Sequence, residues 1–200
     1  MRNCCETSDL EHVEDKRFRK ILWVVLALNI CMFLVEIVSS YMAGSVSLLA
    51  DALDFLGDAF NYGISLFVLA RSAIHKAKAS LIKGMTMALF GIYVLASSIY
   101  RVMQGGIPEA ELMSIIGALA LIVNITCAVL LYRHRAGDIN RESVWICSRN
   151  DAIANIAVLL AALGVYLTGT FWPDVVVAAL IAGLCLKSAI YVICKARIAL

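Results

Sequence analysis

An all-α membrane protein of six transmembrane helices, with both termini in the cytoplasm, is the fold class that this 200-residue sequence predicts. Three observations predict it. Hydrophobic residues make up 62% of the chain and charged residues 16%, with a mean hydropathy of +0.87, whereas soluble domains run at roughly 45–50% apolar and about 25% charged. Apolar windows recur at the ~20-residue length that crosses a hydrocarbon core. Lysine and arginine cluster in alternate connections, as the positive-inside rule requires of a multi-pass chain. The two prolines and 12 glycines exclude a collagenous chain, and the apolar excess excludes disorder. A formal net charge of +2 provides no basic field for nucleic acid.

Taken in order, residues 1–20 form a polar cytoplasmic tail with no apolar core of their own, so they do not read as a cleavable signal peptide. Residues 21–194 hold the spans: Ile21–Ala43, Ser45–Ala70, Leu81–Met103, Leu112–Tyr132, Val144–Thr168 and Val175–Cys194. Residues 195–200 form a short cytoplasmic end. Arg2, Lys16, Arg17, Arg19 and Lys20 lie before the first span; Arg71, Lys76 and Lys78 follow the second. Arg133, Arg135 and Arg141 follow the fourth, and Lys195 and Arg197 follow the sixth. The opposite connections contribute only Arg101. That asymmetry places both termini inside.

Seven cysteines show neither zinc-knuckle nor redox spacing. Cys31, Cys127, Cys185 and Cys194 read as small apolar packing residues. The adjacent Cys4 and Cys5, near Glu6 and His12, read either as a soft-cation trap or as incidental.

The informative residues are acids that lipid should exclude. The second span, GSVSLLADALDFLGDAFNYGISLFVLA, holds Asp51, Asp54 and Asp58. Each costs about 2.5–3.5 kcal/mol at mid-membrane. At 100° per residue, Asp54 and Asp58 share a face one turn apart, and Asp51 continues the stripe with Ser47 beyond it. Such a row repels itself unless a cation or shared protons neutralise it, or a basic residue from another span pairs with it.

The fifth span, VWICSRNDAIANIAVLLAAL, stacks Cys147 and Asp151 four residues apart, with Asn155 a further turn along. From the predicted ends, Asp58 lies about 19 Å below the outer boundary and Asp151 about 11 Å above the inner one. In a core of about 30 Å these are the same height. A thiolate with three carboxylates suits Zn²⁺ or Cd²⁺, and the carboxylates alone make a harder site that suits Mn²⁺ or Co²⁺. Cys147 reads equally as a ligand or as packing. Asn150 sits one residue off the ligand row as an outer-sphere donor, and Arg149 points roughly 160° away from Asp151. In the first span, Glu36 is either a proton carrier or the partner of a lysine. Asn29, Asn124 and Asn155 read as interhelical hydrogen-bond glue, and Lys83 and Lys187 as snorkelling side chains.

These residues resemble the cation diffusion facilitator family of metal–proton antiporters, in which the second span carries Asp- or His-x-x-x-Asp and the fifth His-x-x-x-Asp. Matched position by position, Asp54 and Asp58 fall on the first pair, and Cys147 and Asp151 on the second. The resemblance runs from about Arg19 to Cys194. It implies a cytoplasmic divalent cation (Zn²⁺, Cd²⁺ or Co²⁺) exported against protons, with no permanent cofactor and no catalysis. Asp51, Asn150, Asn155 and Glu36 are then an outer sphere or proton path. Three departures stand out. Cysteine replaces the usual histidine at 147, the His-Gly-Lys-x-Glu stretch after the second span reads IHKAKAS with only His75 kept, and no C-terminal ferredoxin-like domain is expected after the sixth span. In this respect the chain resembles short bacterial members of a cell-membrane family, and a homodimer would use the spans or the tail.

No phosphate-binding G-x-x-x-x-G-K-[ST] loop and no H-E-x-x-H motif occur. A proton gradient therefore drives the expected cycle. The alternative is a non-transporting membrane subunit or metal sensor, whose acids pair with a partner.

Overall fold

The computed structural model describes residues 4–68, 73–133 and 139–198, with side chains described from residue 17 except at 65, 67–77, 79–80, 134–149 and 195. These residues form six helices and no strand: α1 (Cys4–Ala43), α2 (Val46–Val68), α3 (Ala73–Gln104), α4 (Ala110–Tyr132), α5 (Ile139–Thr168) and α6 (Trp172–Ile198). Each overlaps one expected span, with α3 and α5 starting eight and five residues before theirs. The segment read as a polar tail continues α1 back to Cys4, making it 40 residues long.

Five of the six contain stretches long and apolar enough to cross a membrane. The other, α2, has the length at 23 residues but carries the three acids. It is also the central helix, packing against α1, α3, α5 and α6. Centrality is what makes its acids tolerable, because neighbouring helices rather than lipid surround them. The outward faces are apolar: Trp23, Leu34, Met42, Leu89, Leu160 and Leu184 are all more than half exposed. A soluble protein would not present so continuous an apolar surface.

Helix ends follow local chemistry. Gly44 ends α1 in the left-handed region at φ +61. The amide of Ser45 bonds the Ser40 carbonyl at 2.9 Å and that of Gly44 the Tyr41 carbonyl at 3.3 Å. This paired closure needs a residue free of a Cβ. Ser45 then caps α2, accepting from the Leu48 amide at 3.1 Å. The α3–α4 connection is tied to this turn, since the Glu109 amide bonds the Ala43 carbonyl at 2.9 Å.

Three apolar clusters fill the bundle. One joins Met32, Leu48, Phe55, Met113, Val158 and Val165 across α1, α2, α4 and α5. A second joins Phe18, Leu22, Val25, Tyr62, Cys127 and Leu131. The third joins Val46, Ala50, Val94, Val175 and Ala178 across α2, α3 and α6. Helices α3 and α6 approach closely at Gly84 and Gly91: a Cβ on Gly91 would lie 2.7 Å from Leu186 Cγ and 3.3 Å from the Ala182 carbonyl. Small residues at such contacts let backbones meet where no hydrophobic effect drives helices together.

Candidate metal centre

The acids of α2 meet α5 in two tiers. In one, the Asp151 carboxyl interacts with both Asp54 and Asp58. The i, i+4 spacing on α2 and the packing of α5 on α2 create this meeting. Asp58 is buried, at 8% exposure, and Asp54 is partly exposed. Tyr62, one turn beyond Asp58, donates its hydroxyl to Asp58 Oδ2 at 3.1 Å. Asp54 also lines a cavity of about 20 Å³ between α2, α3 and α6, together with Cys185. That volume suffices for one water. The Cys185 thiol donates to the Met87 carbonyl at 3.4 Å.

The second tier lies one turn nearer the α1–α2 connection. Asn155 donates Nδ2 to Asp51 Oδ2 at 2.7 Å and accepts from Asn124 Nδ2 at 2.8 Å. Asn124, Asn155 and Asp51 are all buried, so α2, α4 and α5 are stitched together where no water competes. Glu36 of α1 interacts with Asp51 from the other side. It is 0% exposed, and neither of its carboxyl oxygens closes a hydrogen bond of good geometry. Two apposed buried carboxyls cannot both stay ionised without a cation between them.

The expected residues fall into place unevenly. Asp54, Asp58 and Asp151 are brought together, and Asp51 and Asn155 form the adjoining tier. Glu36 is matched with an acid; the lysine weighed as its partner is not what it faces. Asn150 is exposed. Cys147 lies on α5 one turn before Asp151, but its side chain, like those of Cys4, Cys5, His75 and Arg149, falls outside the described residues. Among the described residues no group of three Asp, Glu, His or Cys side chains is placed to hold a metal ion. Asn124 and Asn155 bridge helices as expected. Asn29 joins them by reaching from α1 to Cys127 Sγ at 3.8 Å, which gives that cysteine a packing role.

Three contributors were missed by sequence reading. Lys83, taken for a snorkelling side chain, acts electrostatically on Asp54 and Asp58. Tyr62 was legible as a hydroxyl four residues after Asp58. Asp174 lies in the first turn of α6, just before the span expected from Val175. In the structure it caps α2, accepting from Ser45 Oγ at 2.6 Å and from the amides of Val46 and Ser47 at 2.8 and 3.0 Å. A buried carboxylate there satisfies orphan donors and faces the positive end of the helix that carries the acids.

Comparison with known proteins agrees with this architecture. The family model for the cation efflux transmembrane domain matches residues 22–200. The metal cation efflux system protein CzcD of Cupriavidus metallidurans is 26% identical over 172 residues, covering 80% of this chain and 54% of the relative. A protein of Bacillus velezensis named as a cadmium, cobalt and zinc/H(+)-K(+) antiporter is 23% identical over 188 residues, covering 87% of this chain and 60% of its own length. The zinc transporter ZitB of Yersinia pestis is 22% identical over 194 residues, covering 88% and 60%. The chain thus spans between half and two-thirds of these relatives.

Proposed function

We propose that this chain, which belongs to the cation efflux transmembrane family, exports a divalent metal ion of the Zn²⁺, Cd²⁺ or Co²⁺ class from the cytoplasm in exchange for protons. The ion is held between α2 and α5 by Asp54, Asp58 and Asp151, with Cys147 as the fourth ligand. The observation that carries the reading is the reach of Asp151 to both acids of α2 inside an apolar bundle.

Metal capture requires ionised carboxylates, so it releases protons. Protons arriving from a more acidic outer compartment compete for the same oxygens and expel the ion. Lys83 supplies countercharge to the acids when no metal is present. Glu36 faces Asp51, and Asn155, one turn from Asp151 on α5, links that pair to the metal ligands. The bilayer is the bacterial cell membrane, with both termini inside. Names borne by the relatives, which include metal efflux systems and a zinc transporter, favour this substrate class.

The test is uptake of ⁶⁵Zn²⁺ or Cd²⁺ into vesicles with and without an imposed pH gradient. Gradient-driven uptake is expected, and Asp58→Ala or Asp151→Ala should abolish it. Full activity in either variant, or accumulation indifferent to the gradient, would sink the mechanism. Cys147→His should shift preference from Cd²⁺ toward Zn²⁺. Calorimetry on the purified protein separates transporter from structural subunit, since the latter binds no stoichiometric cation.

A further inference from the structure

At the end of the bundle formed by the α1–α2 and α3–α4 connections, a cavity of about 550 Å³ opens between the α1–α2 turn and α3. Arg101, in the last turn of α3, stands in its wall. Its guanidinium is seated against the backbones of both connections. A Cβ on Gly44 would collide with it, and a Cβ on Gly106 would come within 2.7 Å of Nη1. Among the described residues that guanidinium takes part in no ion pair and no hydrogen bond. Five donors in a rigid fork are therefore positioned but unfilled.

The remaining walls combine hydroxyls with apolar side chains. Tyr41 and Tyr93 meet hydroxyl to hydroxyl at 3.0 Å in the same cavity. Tyr93 precedes Arg101 by eight residues, about 12 Å deeper along α3. Ser97 lies between them, and Val46 and Leu49 are the apolar residues on the α2 side. Tyr41, Tyr93 and Tyr100 are 65%, 45% and 63% exposed, so the cavity opens sideways on the apolar flank of the bundle. It presents a cation beside the apolar Val46 and Leu49 near its rim, and the Tyr41 and Tyr93 hydroxyls further along α3. A phospholipid joins an anionic phosphate, ester oxygens that accept from hydroxyls, and an apolar acyl chain in one molecule.

We propose that this cavity binds one phospholipid, its phosphate on the Arg101 guanidinium and its upper acyl segment against Val46 and Leu49. Charge excludes a metal ion as occupant. A free inorganic anion would satisfy Arg101 and leave the apolar walls unused. The bound lipid bridges the α1–α2 turn to α3, the two elements between which the cavity lies.

The test is native mass spectrometry of the full chain released from detergent micelles, with dioleoyl phosphatidylglycerol, dioleoylglycerol or inorganic phosphate added. The wild type is expected to keep one phosphatidylglycerol after the surrounding detergent is stripped, and to bind dioleoylglycerol and phosphate at least tenfold more weakly. Arg101→Gln should lower lipid retention at least fivefold, and Arg101→Lys, which keeps the charge but loses the fork, should fall between. Should the glutamine variant not fold, the lysine variant and Tyr93→Phe carry the comparison, with both expected to lose retention. Equal binding of dioleoylglycerol would mean that phosphate is not read; equal binding of inorganic phosphate would mean an anion site; unchanged retention in the variants would mean unspecific lipid. Each of these results overturns the proposal.

Discussion

Replacing Asp174 by alanine should loosen α2, the helix that carries Asp51, Asp54 and Asp58, although the residue is far from them in sequence. The side chain is 0% exposed and accepts three hydrogen bonds from the start of α2, at 2.6, 2.8 and 3.0 Å. Bonds to a charged acceptor contribute about 1.5–3 kcal/mol each, which would sum to roughly 4.5–9. That sum overcounts, because deleting a buried carboxylate also removes its desolvation cost, and Ser45 keeps its cap on Leu48. The amides of Val46 and Ser47 remain buried without their acceptor, so about 3–4 kcal/mol is the expected net loss. At 2–4 °C per kcal/mol for a chain of this size, the melting temperature should fall by about 6–16 °C. Thermal unfolding in detergent checks this, and amide exchange at Val46 and Ser47 localises it. Asp174→Asn, which keeps one acceptor oxygen without the charge, should lose about half as much. A shift below 2 °C in the alanine variant, or equal shifts in both, would refute the account of Asp174 as a charged cap on a neighbouring helix.

Other expectations are of the same kind. Asn155→Ala removes both the donor to Asp51 and the acceptor of Asn124, leaving two buried polar groups unmatched. A loss of about 2–4 kcal/mol should follow in chemical unfolding, and Asn155→Asp should not restore it, since it adds an acid beside Asp51. Gly91→Ala should destabilise by about 1–3 kcal/mol, because its Cβ enters Leu186. Gly183→Ala, with nothing within 4 Å, should be neutral or slightly stabilising in the same melt. Metal affinity measured by calorimetry should fall on acidification by about tenfold per pH unit for each proton displaced, because binding requires ionised ligands. An affinity flat with pH would contradict metal–proton competition at these acids.

Much of the fold was legible because helical periodicity and span length are local. Each expected window became one helix, and the ends at Gly44, Gly105 and Gly169 sit where glycine takes the left-handed backbone. The pairing of Asp151 with Asp54 and Asp58 was legible too, through heights along two helices. Lys83 was not, since its distance from the acids depends on how α3 packs on α2. Glu36 showed only that it was buried and acidic, and nothing along α1 distinguishes an acid from a lysine as its partner.

The sequence by itself determined that the chain is helical and membrane-embedded, and which acids share a face of α2, because spacing and composition act within one helix. Only the tertiary structure decided which helix covers those acids. It made α2 central, set Asn155 on Asp51, and sent Asp174 to cap α2. Those outcomes depend on the rotation and approach of helices, which glycine contacts such as Gly91 against Leu186 permit. No local periodicity encodes them.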